Sequence, residues 1–480
     1  MDIQMSIPYE RIVQDMDIGI ETIVAIGFGA SVGALVWAVR ALRRERALTK
    51  RLKELLLQDR HTGLPGRAML EQRIAELMSE KGAKGSEPFA VVVFFLPTYD
   101  ALVSTYGRKT VQKILEHLWH ELDERADWSI SACVRSGAAQ VAALVRMEDR
   151  DTLKQNVTNL LRHCEFLEFG GTTVHVTIQA GIYGLGLSSA TPEKALTHAG
   201  LAAQHGAPVQ FYSTGIRDTA AFENRIESCM RDGLRRQEFK IYYQPKYDIR
   251  TRKCIGAESL VRWDSRDLGF LMPGAFIDTF ERTGFQLQLD YYIIGQVYRF
   301  QQNRRLAKLP LVPISVNQSR MHVGERAYIE HMQKMIEYFG TSDGIEIELT
   351  ETAFDFSGKE QKKCAIEAVK ALKEMGYSIS MDDFGTGYSD FALLSLLPLD
   401  VMKIDRSLLL AAESSDRMHV LLKKAIELGH GLGMKVICEG IETAAQEHLL
   451  LASGCLFGQG FLYGKPMPEE EFEAFLAAHI

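Results

Sequence analysis

The chain has 480 residues, a formal net charge of −7 and a hydrophobic fraction of 46%. At roughly 100–200 residues per domain, this length predicts two to four domains. The acidic balance excludes a general nucleic-acid-binding protein, which presents a basic face, so we expect neither DNA nor RNA as a partner. The 7 cysteines are scattered and form no Cys-x-x-Cys pair. This usage argues against a disulfide framework or a zinc site and fits a reducing cytosol.

An uncharged segment of 18 residues runs from Thr22 to Val39, which is at the short end of what crosses a bilayer as a helix. Arginines follow it from Arg40 onward, and acidic residues precede it. Because positive residues stay on the cytoplasmic side, we predict a short external segment at 1–20, a single transmembrane helix at 21–40 and a cytoplasmic remainder. The alternative is a buried core helix, which the asymmetric flanking charges disfavour.

Two patterns in and after this span indicate contacts between helices. Gly29 and Gly33 form a GxxxG pair, which lets two helices approach closely. Leucines from Leu48 to Leu55 recur at helical spacing among charged residues, which predicts an amphipathic or coiled-coil linker helix over 41–57. Both patterns favour a homodimer, although a simple connecting helix explains them equally well.

Residues 58–214 mix apolar runs with helical stretches, which is typical of an α+β domain. We predict strands at 90–95, 140–145 and 174–178. The segment from Asp59 to Arg67 (DRHTGLPGR) resembles the opening motif of the GGDEF, or diguanylate cyclase, family.

The segment from Arg135 to Val141 (RSGAAQV) stands where that family carries its signature. The signature's second glycine, aspartate and glutamate are replaced by Ala138, Ala139 and Gln140. The first strand ends in phenylalanine where the family has a metal-binding aspartate, and the family's RxxD motif is missing. A cyclase neutralises triphosphate charge with metal ions, which need carboxylate ligands.

The resemblance therefore implies a degenerate GGDEF domain over 58–214, followed by a linker at 215–228, and no synthesis of cyclic di-GMP. Two roles stay open for this domain. It could bind GTP as a regulator, or it could be a structural and dimerising module, which the extent of the changes in the signature favours.

From about residue 229 onward, short apolar runs repeat, each followed by a helical stretch, and several end in a polar residue that a core would not choose. Alternating strands and helices fit a (β/α) barrel, whose active site lies at the carboxyl ends of the strands. We therefore expect the polar residues at these run ends to converge: Glu258, Asn317, Glu348, Asp382, Asp383 and Glu439.

Carboxylates crowded in this way repel one another unless cations neutralise them. Oxygen ligands suit Mg²⁺ or Mn²⁺, and a pair of such ions can clamp the attacking and leaving oxygens of a phosphoester. Lys403 adds a positive charge that could position the attacking water or a phosphate oxygen. The two glycines that follow Asp382 and Asp383 predict a mobile turn coupled to metal binding, with an ordinary acidic turn as the alternative.

These residues, in this order, resemble the EAL family of cyclic di-GMP phosphodiesterases over 229–480. The segments that carry the resemblance are Tyr243–Pro245 (YQP), Glu258–Leu260 (ESL), Val261–Trp263 (VRW), Asn317, Glu348–Glu351 (ELTE), Asp382–Ser389 (DDFGTGYS), Lys403–Arg406 (KIDR), Glu439–Glu442 (EGIE) and Gly458–Phe461 (GQGF). The resemblance implies a TIM-like (β/α) barrel, cyclic di-GMP as the substrate and linear pGpG as the product. With the predicted span, it implies a single-pass protein of the bacterial inner membrane with a periplasmic N-terminal segment.

The roles of the family's residues carry over position by position. The resemblance implies two Mg²⁺ or Mn²⁺ ions with these ligands: Glu258, Asn317, Glu348, Asp382, Asp383 and Glu439. It makes Lys403 the residue that orients or activates the nucleophilic water, supported by Gln459. Glu351 is implied as the anchor of the DDFGTGYS loop and Glu442 as a second acid near the metals. The implied substrate contacts are Gln244, Arg262 and Asp405.

Two positions depart from the family pattern. Ser259 replaces the alanine of the signature, and Asp390 stands where a second serine is usual. Since Ser259 points away from Glu258 on a strand, we expect the ligand to be unaffected, whereas Asp390 could alter loop closure or a dimer contact. Family members that bind cyclic di-GMP without cutting it lose metal carboxylates or the lysine. This chain keeps them, which predicts hydrolysis; the alternative is a non-catalytic receptor or scaffold that signals to a membrane partner.

Overall fold

The computed structural model describes residues 40–45, 57–59, 64–80, 89–124, 130–169, 171–185, 191–205, 207–319, 322, 326–350, 353, 359–385 and 391–480. The chain divides into two compact units, Met1–Ala221 and Phe222–Ile480. Residues 40–45 are helical, but residues 21–39 of the predicted transmembrane helix lie outside the described residues. Within the described ranges, no helix has the length and apolar character needed to cross a membrane.

The first unit alternates helices and strands. Its elements are α1 (Arg67–Glu80), β1 (Phe89–Phe95), α2 (Tyr99–Tyr106), α3 (Arg108–Asp123), β2 (Ile130–Gly137), β3 (Gln140–Arg146), α4 (Arg150–His163), β4 (Phe166–Phe169), β5 (Thr172–His175), β6 (Gln179–Leu185), α5 (Pro192–Gln204) and β7 (Val209–Phe211). A further helix, α6 (Thr214–Arg235), continues into the second unit.

The first unit is built on a five-stranded sheet with the order β2-β3-β1-β6-β7. The central strand β1 runs antiparallel to both neighbours and is buried along most of its length, as its β-branched sequence FAVVVFF favours. One face of β1 packs with α3, and the other packs with α1 and α5. The predicted α+β domain therefore has its core on both faces of the sheet.

One predicted strand is wrong in its boundaries. We expected a strand over 174–178, but β5 ends at His175 and pairs only with β4, whereas the neighbour of β1 is β6. Val174, Val176 and Ile178 are all buried, so their alternation reflects an extended segment packed on the core. Periodicity alone does not separate such a segment from a paired strand.

The second unit contains these elements: β8 (Phe239–Asp248), β9 (Lys253–Ser265), β10 (Gly269–Leu271), α7 (Ile277–Thr283), α8 (Gln286–Leu306), β11 (Ile314–Asn317), α9 (Arg326–Phe339), β12 (Ile345–Thr350), α10 (Lys359–Glu374), β13 (Ser378–Phe384), α11 (Phe391–Leu396), β14 (Val401–Ile404), α12 (Arg406–Ser414), α13 (Asp416–Gly431), β15 (Lys435–Cys438), α14 (Ala444–Ala452), β16 (Phe457–Gln459), β17 (Met467–Pro468) and α15 (Glu469–His479). The predicted (β/α) barrel is confirmed by the order β9-β11-β12-β13-β14-β15-β16-β8, which the β8–β9 pairing closes into a ring.

Seven strands of the ring are parallel to one another: β9, β11, β12, β13, β14, β15 and β16. The eighth, β8, runs antiparallel to its neighbours β16 and β9. Each parallel strand directs apolar residues outward to the helices; on β12 these are Ile345, Ile347 and Leu349, which belong to the core. Because side chains alternate along a strand, Glu346 and Glu348 point into the barrel. The apolar core thus lies between strands and helices, and the barrel interior is polar.

Candidate active site: carboxylates around a buried lysine

The barrel brings together three glutamates that are far apart in the sequence. Glu258 lies on β9, Glu348 on β12, and Glu439 directly after β15. One carboxylate oxygen of each lies within 4.8 Å of the others. The convergence follows from the parallel register, which places Asn317 of β11 beside Glu348 and lets the carboxyl ends of the strands meet at one mouth of the barrel.

The Lys403 ammonium occupies the middle of this cluster. The side chain is fully buried on β14 and contacts the carboxylates of Glu348 and Glu439. Its Nζ also lies 3.1 Å from Asp382 Oδ1 and 3.4 Å from Glu258 Oε2. Four acids therefore share one lysine, and the group as a whole carries an excess of negative charge.

Two amide side chains fix the orientation of Glu258. Asn317 Nδ2 donates to Glu258 Oε1 at 2.8 Å, and Gln459 Nε2 donates to Glu258 Oε2 at 2.6 Å. Gln459 Nε2 also donates to Gln244 Oε1 at 3.2 Å, and Gln244 lies opposite Glu258 in the β8–β9 register. The predicted supporting role of Gln459 thus has a direct geometric counterpart.

The pKa values of the cluster show how unfavourable the charge excess is. Burial, together with the neighbouring acids, raises the pKa of Glu348 to about 8 and that of Glu439 to about 7, although Lys403 opposes both shifts. Burial also raises the pKa of Asp382. For Glu258 the positive charges of Lys403 and Lys246, together with the amide donors, outweigh burial, so the pKa of Glu258 falls. Carboxylates that resist ionisation in this way are sites where a multivalent cation would be stabilising.

The donor set fits Mg²⁺ or Mn²⁺. The groups that converge are carboxylate and amide oxygens, which are the ligands these hard cations prefer. Glu348 Oε2 is buried and accepts no hydrogen bond from any residue that the structure describes, so an oxygen is available there. Among the described residues, this group of converging ligands contains glutamates and neither cysteine nor histidine. Its ligand atoms are therefore carboxylate oxygens.

Asp382 and Asp383 reach the site by an irregularity in β13. The β13–β14 register shifts between Met381 and Phe384, and Asp383 adopts a left-handed backbone with φ of 57°. Its N–H donates to Asp382 Oδ1 at 2.9 Å. On a regular strand these neighbours would point to opposite faces, so the bulge and the unusual backbone allow both carboxyls to be used, at a cost in strain.

Two residues predicted from the sequence have other surroundings, and a third is not among the described residues. Glu442 forms an ion pair with Arg406 at 2.6 Å and is partly exposed, so the structure does not place it in the cluster. Asp405 caps the N-terminus of α12 by accepting from the Ser407 N–H, and it raises the pKa of the nearby Asp383, after the larger effect of burial. Glu351 lies outside the described residues, as does most of the DDFGTGYS loop after Gly385.

Arg262 lies on the same face of β9 as Glu258, because the two residues are an even number of positions apart. Its Nη1 donates to the Val261 carbonyl at 2.8 Å, and its guanidinium lies 5.5 Å from the Tyr242 ring centre. Ser259, by contrast, faces away and donates to the Ser315 carbonyl at 2.7 Å. The serine in the signature therefore makes a structural contact outside the carboxylate cluster.

Sequence reasoning missed a second buried ion pair inside the barrel. Lys246 Nζ lies 2.8 Å from Glu346 Oε1 and 3.8 Å from Glu348 Oε2. The alternation of Ile345-Glu346-Ile347-Glu348 could have predicted that both glutamates point into the barrel, since side chains two positions apart lie on one face of a strand. In the same way, Lys246 stands two residues after Gln244 on β8, so it could have been predicted to lie on the same face as Gln244.

The first unit has a hairpin where the GGDEF signature is expected. Residues 135–141 contain no carboxylate. Arg135 Nη2 donates to the Ala138 carbonyl at 3.0 Å, and Gln140 pairs with Phe95 at the end of β1. The turn therefore keeps its position beside the end of the central strand, while its side chains are uncharged beyond Arg135.

Comparisons with known proteins agree with this architecture. Residues 228–466 match the EAL domain family, and residues 56–206 match the family "diguanylate cyclase, GGDEF domain". The cyclic di-GMP phosphodiesterase NbdA of Pseudomonas aeruginosa is 26% identical over 436 residues, which cover 89% of this chain and 55% of NbdA. The bifunctional diguanylate cyclase/cyclic di-GMP phosphodiesterase MucR of the same organism is 26% identical over 442 residues, 89% of this chain and 63% of MucR. The chain thus spans a little over half of each relative's length.

A solved structure of Vibrio cholerae LapD, comprising its S helix, GGDEF and EAL parts bound to c-di-GMP, covers 88% of this chain and 99% of that chain with a TM-score of 0.53. At 16% identity this likeness is one of fold alone. The two family matches confirm both resemblances found in the sequence. This chain belongs to the family of proteins that join a GGDEF domain to a following EAL domain.

Proposed function

We propose that this chain hydrolyses cyclic di-GMP to linear pGpG in a metal-dependent reaction at the carboxyl mouth of its EAL barrel. The observation that carries the proposal is the convergence of Glu258, Glu348 and Glu439 within 4.8 Å around a buried lysine. So many buried acids are costly for folding and suit a site that takes up divalent cations. NbdA and MucR, which resemble this chain over most of its length, are named as cyclic di-GMP phosphodiesterases.

The residues that would hold two Mg²⁺ or Mn²⁺ ions are Glu258, Asn317, Glu348, Asp382, Asp383 and Glu439. When bound, such ions neutralise phosphoester charge and stabilise the attacking and leaving oxygens. Asn317 and Gln459 hold the Glu258 carboxylate from both oxygens, so this ligand is oriented before any cation arrives. Preorganisation of this kind lowers the reorganisation needed during the reaction.

Lys403 supplies the positive charge of the site. Its ammonium lies among the acids, where three N–H donors can orient a water or a phosphate oxygen once the carboxylates are engaged elsewhere. We assign to it the positioning of the attacking water. Arg262 and Gln244 lie on the neighbouring strands, and an arginine suits a phosphate or a guanine edge because of its planar donor set; we assign both to substrate binding, together with Asp405.

A non-catalytic receptor is the second candidate, and one observation favours it. The Lys403 ammonium already contacts carboxylates of the cluster, so a site that keeps this arrangement would bind cyclic di-GMP without taking up metal. Such a protein would act as a receptor or scaffold for a partner. The charge excess that remains around Lys403 argues for the enzyme.

The rest of the chain's role is also proposed. We infer a single-pass anchor in the bacterial inner membrane through residues 21–40, a homodimer, and a GGDEF domain that makes no cyclic di-GMP. The last inference is supported by the sequence of the hairpin at 135–141, which contains no carboxylate, because triphosphate chemistry needs carboxylate-bound metal. GTP binding at that domain stays a weaker alternative to a structural role.

The test uses the full-length chain in detergent or lipid nanodiscs with cyclic di-GMP and either Mg²⁺ or Mn²⁺, with an Asp382→Asn variant beside it. The proposal expects pGpG from the wild type and a loss of that product in the variant. Binding of cyclic di-GMP with no pGpG under either metal would contradict the enzyme and favour the receptor.

A further inference from the structure

The floor of the carboxylate cluster is a buried ion pair. Lys246 extends from β8 and pairs with Glu346 of β12 at 2.8 Å. Both side chains are almost completely buried. In such surroundings an ion pair forms only when each partner neutralises the other closely. The pair therefore fixes where the Lys246 ammonium sits.

The same ammonium has a second acid within reach. Lys246 Nζ lies 3.8 Å from Glu348 Oε2, which is beyond hydrogen-bonding distance. Among the described residues, Glu348 Oε2 accepts no hydrogen bond, while the Glu348 Oε1 atom is in contact with Lys403. A carboxylate oxygen attracts an ammonium 3.8 Å away, so the group that pairs more closely with Lys246 decides how near it comes to Glu348.

Glu346 is that group, and its neighbours leave room for it. In the β12 register, Glu346 lies between Ser315 of β11 and Ser378 of β13. Both are small, so the longer Glu346 and Lys246 side chains can meet across the barrel. Glu346 also receives a hydrogen bond from Ser380, which further orients its carboxylate.

We propose that Glu346 is a positioning residue for the metal site: it holds Lys246 away from Glu348 and so keeps one Glu348 oxygen available to a divalent cation. This inference rests on the proposed metal-dependent function. It assigns no direct contact with metal or substrate to Glu346 or Lys246. Their effect passes through Glu348 alone.

The decisive variants are Glu346→Gln and the matched double variant Lys246→Met/Glu346→Gln in the full-length chain. In Glu346→Gln, Lys246 loses its acid partner and moves toward Glu348, where it competes with the cation. We expect the affinity for Mn²⁺ to fall by roughly 10-fold to 100-fold. The affinity is measured without substrate, by titration calorimetry or from the electron paramagnetic resonance signal of free Mn²⁺. The double variant lacks the competing ammonium and is expected to regain most of that affinity.

Turnover separates this role from a merely structural one. With Mn²⁺ raised to saturation, Glu346→Gln should recover most of the wild-type kcat, because the defect is in metal affinity. If Glu346→Gln does not fold, Glu346→Asp serves instead: its shorter carboxylate holds Lys246 less closely, and the affinity should fall by a smaller factor.

Unchanged Mn²⁺ affinity in Glu346→Gln would overturn the inference, as would an equal loss in the double variant, which would show a structural requirement for the carboxylate. A wild type that binds Mn²⁺ but forms no pGpG would contradict the proposed function only, and the comparison of affinities would still decide the inference. A wild type that binds no Mn²⁺ would contradict both.

Discussion

The hairpin at 135–141 in the first unit and the carboxylate cluster in the second stand where their families place the chemistry of nucleotide phosphates. The hairpin presents Ala138, Ala139 and Gln140. The barrel mouth instead presents three glutamates whose oxygens lie within 4.8 Å of one another. Each unit nevertheless has an extensive apolar core. The fold around the hairpin is therefore formed without a carboxylate at residues 135–141.

The difference shows that fold and site have separate energetic origins. The first unit is stabilised by the burial of apolar residues such as those of β1, which needs no acid in the hairpin. The carboxylate cluster gives the second unit no such gain, since burial raises the pKa of Glu348 to about 8 and that of Glu439 to about 7. Groups that resist ionisation in the fold are explained by a ligand more readily than by stability.

The largest expected effect comes from removing one charge at the best-ordered ligand. In Glu258→Gln, the hydrogen bonds from Asn317 and Gln459 face an amide in place of a carboxylate, and a metal ligand is lost. We expect the rate of pGpG formation to fall by roughly 100-fold to 1,000-fold. The matched control is Ser259→Ala, which removes only the hydrogen bond to the Ser315 carbonyl. It should keep the rate and lose about 1 kcal/mol of stability. Equal rates in the two variants would contradict the assignment of the site.

A second variant removes the positive charge of Lys403 from the carboxylate cluster. Lys403→Met leaves Glu348, Glu439 and Asp382 without the ammonium that they contact. We expect the metal-free protein to lose about 3–5 kcal/mol of stability, as when one partner of a buried ion pair is removed. Mn²⁺ should raise the melting temperature of the variant more than that of the wild type, since the variant has no ammonium to neutralise part of the carboxylate charge. Turnover should stay roughly 100-fold lower even with metal, because the water-positioning group is absent. A melting temperature in EDTA equal to that of the wild type would contradict this account of the cluster.

A smaller effect is expected from pH. Because the pKa of Glu348 is raised to about 8 and that of Glu439 to about 7 in the metal-free cluster, a proton must leave when a cation binds. Apparent Mn²⁺ affinity should therefore rise by about tenfold or more from about pH 6 to about pH 8 and level off above it. The sign for stability is opposite: the metal-free fold loses stability as pH rises above the ordinary carboxyl range, because the unfolded chain releases these protons first. Calorimetry in two buffers of different ionisation heat would count the released protons. A flat affinity over this interval would contradict the raised pKa values.

Much of the second unit could be predicted because its pattern is local. Runs ending in a polar residue identify strand ends, and the parallel register brings Glu258, Glu348 and Glu439 together as expected from a barrel. The antiparallel direction of β8 was not predictable in this way, because a strand shows the same alternation in either direction. The bulge that turns Asp383 is set by tertiary contacts and leaves no periodic signal.

Other features depend on contacts between distant residues. Lys246 and Glu346 are 100 positions apart, so their pairing could not be found from local spacing. Glu442 belongs to a motif whose resemblance implied a place near the metals, yet Arg406 lies close enough to pair with it. In the first unit, the segment at 174–178 has the alternation of a strand, but its paired ladder with β4 ends at His175. The alternation of apolar and polar residues predicts which face of a strand a side chain lies on. The residue that it contacts there depends on the tertiary fold.

The smallest expected effect tests the other half of the comparison. In an Asp382→Asn background, where cyclic di-GMP would not be consumed, we expect no cyclic di-GMP from GTP and Mg²⁺, because residues 135–141 offer no carboxylate to hold a metal. GTP added to the wild type should also leave the rate of pGpG formation unchanged, as a structural module predicts. The control is Gln140→Ala, at a position that pairs with the end of β1 through its backbone; it should change stability by less than about 0.5 kcal/mol. Product from GTP would show that metal can be held there by other residues. Stimulation by GTP that Gln140→Ala abolishes would show that the hairpin recognises a nucleotide without any acid of its own. Both regions would then bind a guanine nucleotide, and only the barrel would carry out a reaction on it.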